Sequence, residues 1–283
     1  MRRTGGFTLV ELIVVIVLIG VMGGSMVMYL RPAMNAYFTA GRRAELTNQA
    51  DTTLRMMVSE IRSAVPNSLR QITPQCFELV PTSDGGRYRT APDITAAGAS
   101  AYIDNSEAVT QFDVLTAFTK TPAANDYVVI GNQNTSEVYS GSNVGQLAAA
   151  PSSGPNTSLG LSRITLKSAK QFPVGYDGGR FVIVPFAQQA VTYFCSSPGK
   201  DSTGTGTGTL YRFSGYGFNA TPTCQTLTAT TPRLATKVAS CTFTYNPDGG
   251  ATQQSGYMQM QLTLSDQGEA VTLSYGAHVD NVP

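Results

Sequence analysis

The chain of 283 residues has no tryptophan, one histidine and few charges. Charged residues make up 13% of it, roughly half the level of an ordinary soluble protein. Lys and Arg number 19 against 18 Asp and Glu, a formal net charge of +1. The dense basic surface that holds nucleic acid by counterion release is therefore missing, and no nucleic-acid partner is expected. With a single histidine, Ser-His-Asp or Cys-His catalysis would have to run through His278, and no G-x-S-x-G elbow accompanies it. Asp84, Asp93, Asp104, Asp113 and Asp126 are scattered without the spacing of a calcium loop, and surface solvation is their expected role. Thr203–Thr209 alternates Thr and Gly but lacks the Lys and following helix of a phosphate loop, so it reads as a flexible hairpin tip. No catalytic residues, no metal and no cofactor are expected, and the chain reads as a non-enzyme.

No cysteine pair has C-x-x-C spacing, which removes support for a zinc or thioredoxin-like site. Four cysteines are present: Cys76, Cys195, Cys224 and Cys241. In an oxidising compartment they would form two disulfides, with three pairings open. In a cytosolic protein they would be four buried thiols. The composition leans on Thr, Ser, Gly, Ala, Asn and Gln, which suits a β-rich domain outside the cytoplasm.

The N-terminus carries most of the information. Arg2 and Arg3 precede an apolar run from Phe7 to Leu30, and only Thr8, Glu11 and Ser25 bring clearly polar side chains into it. The two arginines hold this end in the cytoplasm. As a helix the run is roughly 36 Å long, enough to cross a bilayer core with some tilt. A secretory signal puts its cleavage site after a shorter apolar core. Here Gly5-Gly6 lies before the run, so cleavage would discard residues 1–6 and keep the apolar helix, residues 7–30. Glu11 inside that helix costs on the order of 3 kcal/mol on insertion scales, so it either snorkels to the interface or has a partner.

Past Arg31-Pro32, where a kink or interruption is expected, the apolar residues from Tyr37 to Val65 recur at three- and four-residue spacings. This predicts an amphipathic continuation over 31–66, ended at Val65-Pro66. Residues 67–283 read as a β-rich domain. Its candidate strands are Cys76–Val80, Tyr127–Ile130, Arg163–Leu166, Arg180–Val184, Ala190–Cys195, Leu210–Phe213, Lys237–Tyr245, Tyr257–Leu264 and Ala270–Ser274. Turn sequences at 247–250 and 266–268 look like hairpin connections. Segments 83–108 and 131–160 read as long surface loops. Arg42-Arg43 form a small basic spot expected to face lipid phosphate or solvent. The fold class is α+β: a long N-terminal helix packed on a mainly antiparallel β-sheet domain with long loops.

The string Gly6-Phe7-Thr8-Leu9-Val10-Glu11-Leu12 resembles the class III signal of type IV prepilins and type II secretion pseudopilins. The resemblance implies cleavage by prepilin peptidase after Gly6 and N-methylation of the Phe7 amine. It also implies that Glu11 sets assembly register by meeting the Phe7 amine of a neighbouring subunit. A buried carboxylate and a buried ammonium are each costly alone and neutralise one another in register. Gly208–Tyr216, Leu234–Phe243 with Cys241, and the ending His278–Pro283 resemble the O-type minor pilins of mannose-sensitive haemagglutinin (MSHA) pili. The ending and the helix are also similar to J-type minor pseudopilins of type II secretion. These resemblances imply a minor pilin that primes or caps a pilus. Its partners would be other minor and major pilins, prepilin peptidase, the inner-membrane assembly platform and membrane lipid along residues 7–30. It would sit in the inner membrane as a single-pass protein with its C-terminal domain in the periplasm, and then in the pilus near the tip. The alternatives are a secretion pseudopilin and a tip adhesin that binds carbohydrate through 83–108 and 131–160, where Tyr88, Tyr102 and Tyr139 are the available aromatics.

Overall fold

The computed structural model describes residue 6 and residues 8–95, 98–154, 160–173, 178–228, 230–249 and 255–280. Leader residues 1–5, Phe7, Gly250 of the 247–250 turn and the last three residues lie outside the described residues, as do parts of the 83–108 and 131–160 segments.

One helix, α1 (Leu9–Arg62), makes up the N-terminal part. Thr8 caps it in an extended conformation, its hydroxyl accepting from the Glu11 amide at 3.3 Å. The expected interruption at Pro32 is absent: residues on both sides stay helical. Proline removes one i→i−4 bond, and the flanking turns carry enough remaining bonds to hold the helix. The helix also stops short of Val65-Pro66. Ser63 caps it, and the Val65 amide already bonds the Val80 carbonyl at 2.8 Å, so the chain leaves the helix to meet a strand.

The second half of α1 buries Leu46, Ala50, Thr53, Leu54, Met57 and Ile61, a stripe at three- and four-residue spacing. That stripe lies on a seven-stranded antiparallel sheet. Its strands are β1 (Arg70–Thr73), β2 (Cys76–Leu79), then, after the intervening elements, β10 (Val191–Ser196), β11 (Gly208–Phe213), β12 (Arg233–Asn246), β13 (Ser255–Asp266) and β14 (Glu269–Asp280), in the order β1-β2-β10-β11-β12-β13-β14. Phe77, Tyr193, Phe243, Met260 and Leu262 meet the helix stripe in one core. Cys195 pairs with Cys241 inside that core, and Cys76 pairs with Cys224, tying the 214–232 loop to the sheet.

Between β2 and β10, which pair directly, the chain builds a second body. It comprises β3 (Asp84–Arg87), β4 (Val109–Val114), β5 (Tyr127–Val129), a short helix α2 (Thr135–Ser140), β6 (Val144–Gln146), β7 (Ser152–Ser153), β8 (Ser162–Lys170) and β9 (Arg180–Val184). One sheet runs β3-β9-β5-β6 and the other β4-β8-β7. Antiparallel bridges Tyr88↔Val114 and Leu147↔Leu166 join the end of β3 to β4 and the end of β6 to β8, closing a small barrel. Phe112, Phe172, Phe181, Ile164 and Ile183 fill it. The loops expected at 83–108 and 131–160 are thus corrected: they supply β3, α2, β6 and β7. Buried Tyr88, Ile103, Val138 and Tyr139 come from the same segments. Gly85-Gly86, inside the expected 83–108 loop, is strand. A Cβ on Gly86 would lie 3.1 Å from the Phe181 ring and 2.4 Å from the Thr116 hydroxyl, so the glycine makes room for a barrel aromatic.

Candidate assembly surface

Every described residue from Thr8 to Phe38 is exposed, although most of them are large and apolar. Among the described residues α1 is the one helix long and apolar enough to cross a membrane. Glu11 sits on this bare stem one turn inside its capped start, its backbone amide held by Thr8. Phe7, the neighbour on which its expected role depends, is outside the described residues.

Above the stem, two sets of contacts fasten α1 to the sheet. The lower set includes Arg42 and Arg43; Arg43 is exposed to solvent as expected, and both also reach across to the sheet. Arg42 donates to Gln267 at 2.9 Å, and Arg43 lies 3.8 Å from Glu269, so both engage the β13–β14 turn. Asp51 accepts from Tyr275 and pairs with Arg55 at 2.7 Å. The bond from Arg55, then that from Tyr275, holds the Asp51 carboxyl below the usual carboxylate range.

The upper set joins helix, sheet and barrel. Glu60 accepts from Tyr193 at 2.6 Å and pairs with Arg212 at 2.9 Å. Burial first, then the Glu60 charge, pushes the Tyr193 phenol far up. Arg70 and Glu78 form a buried ion pair at 2.5 Å. Tyr216 donates to Glu78 at 2.7 Å, and the Arg70 guanidinium also donates to the Asn219 and Ala220 carbonyls. The Tyr139 ring lies 3.5 Å from the guanidinium, and its hydroxyl donates to the Ser68 carbonyl. Burial raises the Glu78 carboxyl, against the lowering effects of Tyr216 and Arg70. Around this pair, Val65, Val80, Val129, Val138 and Val184 form an apolar seam between the end of α1 and the barrel. The sequence reading missed this network, because Arg70 and Glu78 meet only once β1 folds back on β2.

The five aspartates considered as calcium ligands do other work. Asp113 is fully buried and pairs with Arg163 at 2.7 Å, so surface solvation is corrected there. Asp93, Asp104 and Asp126 accept from nearby backbone amides in turns, and Asp84, at the start of β3, accepts from the Gly85 and Lys120 amides. His278 is exposed and lies against the Tyr257 ring. Among the described residues no cluster of three His, Cys, Asp or Glu could hold a metal. The Thr203–Thr209 connection is a hairpin tip between β10 and β11, but it is stapled down. Gly206 bonds the Ser265 carbonyl, and the Thr205 hydroxyl accepts from the Gln267 amide at 3.0 Å.

Residues 1–27 match the prokaryotic N-terminal methylation motif. The chain carries a type IV pilin-like prepilin signal. That match supports a chain of the type IV pilin and pseudopilin class, processed by prepilin peptidase and assembled with other pilins. The signal and the apolar helix together fit a membrane-anchored, single-pass protein. No curated protein and no solved structure matches the chain.

Proposed function

We propose that this chain is a minor pilin of an MSHA-type pilus, a structural subunit without enzymatic activity that primes or caps the filament at or near its tip. It is held in the inner membrane by residues 7–30 with its β-rich part in the periplasm. Cleavage after Gly6 and methylation of Phe7 precede assembly through the platform with major and minor pilins. The observation that carries the reading is the bare stem: apolar residues exposed from Leu9 to Phe38, with a lone carboxylate at Glu11. Such a surface is stable only in lipid or against other apolar helices. The barrel supports a place near the tip. It sits beyond the last turn of α1, where a further subunit packed in parallel would stack.

Glu11→Ala tests the register role. It should leave membrane insertion intact and lower recovery in sheared pili at least about tenfold, equivalent to roughly 1.4 kcal/mol. Wild-type recovery would remove the role. Mass spectrometry of the native N-terminus should find N-methylated Phe7, and a chain still starting at Met1 would remove the pilin reading. Deletion that abolishes protein secretion and spares piliation would move the chain to a secretion pseudopilus. The same barrel position favours a second reading, that a tip subunit presents the barrel to a carbohydrate surface. A purified full-length chain that binds no glycan on an array, in cells whose piliation needs it, would refute that.

A further inference from the structure

The two bodies treat their sheet margins differently. The barrel closes its own, and β1 is four residues long with a register break. β14 does neither. It pairs with β13 through twelve unbroken positions, from Asp266↔Glu269 to Ser255↔Asp280, and stands last in the strand order. Residues 270–279 contain no proline and no Lys, Arg, Asp or Glu. Natural sheets blunt a long edge with those residues, with bulges or with a covering element, because alternate backbone N–H and C=O groups otherwise point outward unpaired.

Beside this edge lies an open groove. Arg55, Val58, Ser59 and Arg62 form its helix wall, and Tyr275 and Gly276 form its strand wall. Arg62 is exposed and has no ion-pair partner among the described residues. Arg55 has only Asp51. The groove therefore carries net positive charge.

We propose that the free edge of β14 is a strand-addition site for an extended, acidic segment of a neighbouring pilin subunit. Backbone bonds to alternate β14 residues would hold the segment, and its acidic side chains would reach Arg62 and Arg55. A second copy of β14 is a poor occupant. Arg43 meets Glu269, Asp51 meets Tyr275, and residues 55–63 flank Tyr275–Gly276, so α1 and β14 run in the same direction. Antiparallel pairing of two β14 edges would point the two stems in opposite directions, which one membrane does not allow.

The proposal rests on the pilin reading for its partner. Hydrogen exchange tests it, on the full-length chain purified alone in detergent and on the chain within sheared pili. In pili, every second β14 amide should exchange about a hundredfold slower than in the isolated chain, and the amides between them should be unchanged. Equal rates in both states overturn the strand addition and leave the pilin reading standing. Even protection without alternation means general burial and also overturns it. Absence of the chain from pili removes both readings. Arg62→Glu, at an exposed position, should lower recovery in pili about tenfold if the added segment is acidic. Unchanged recovery overturns that charge assignment.

Discussion

Replacing Glu78 by alanine will separate the barrel from the helix-and-sheet body more effectively than any surface change. Glu78 is 1% exposed and Arg70 is 9% exposed, and each is the other's only charged partner in the ion pair. Removal of the carboxylate leaves the guanidinium buried, with the Asn219 and Ala220 carbonyls as its remaining acceptors. Breaking a buried pair from one side costs about 3–5 kcal/mol. Replacing both partners at once, Glu78→Leu with Arg70→Met, strands no charge. It should recover most of that loss, less about 1–2 kcal/mol for the cation–π contact with Tyr139. Urea unfolding of the full-length chain in detergent, followed by circular dichroism, measures the Glu78→Leu and Arg70→Met singles beside the double variant and gives the coupling directly. A single-mutant cost below about 1 kcal/mol, or a double mutant as unstable as the sum of the singles, would refute the reasoning.

The same carboxyl sets a pH dependence. Its folded pKa is raised by burial above 4.5, so its contribution is fully present below 4.5 and is lost as pH rises through the folded value. Glu78→Gln should remove that fall from a stability-against-pH series, while Asp51→Asn should remove the opposite slope, stability lost as pH drops below 3.8. Leu54→Ala, in the middle of the buried stripe of α1, should cost about 2–5 kcal/mol in the same urea assay because Leu54 is fully buried. The disulfides close spans of 148 and 46 residues, for which loop entropy gives about 5 and about 4 kcal/mol respectively. Cys76→Ala with Cys224→Ala should therefore destabilise more than Cys195→Ala with Cys241→Ala, and a reversed order in denaturant midpoints would count against the loop argument.

The sequence showed the stem, the amphipathic half of α1 and the strands with dense β-branched or aromatic residues. Arg180–Val184 appears as β9 with the expected bounds, and the long β12, β13 and β14 extend the expected strands at both ends. The barrel was hidden, for a physical reason. β3, β6 and β7 are Asp-Gly-Gly-Arg, Val-Gly-Gln and Ser-Ser, too short and too polar to show a period of two. They are strands because neighbours from distant sequence pair with them, as Asp84–Arg87 does with Arg180–Ile183. Helix α2 has six residues, under two turns, and forms because Asn134 and Glu137 make a capping box and Val138 and Tyr139 are buried. On the assembly surface, Glu11 stood out as a charge in an apolar run. Arg70 and Glu78 gave no such sign, because both lie in ordinary mixed sequence.

The chain leaves the large sheet after Leu79 and returns at Val191, and these two residues face one another across a single pair of strands. Exit and re-entry are therefore about 5 Å apart. A tight turn could bridge that gap, so the barrel is mounted like a cassette in a hairpin. Whatever is placed there is presented at the far end of the stem without re-registering the strands below. Drag on that cassette would reach β2 and β10 together. β2 is also held to the 214–232 loop by Cys76–Cys224, and β10 to β12 by Cys195–Cys241. Two covalent stays thus brace the mounting, one on each strand that bears the load.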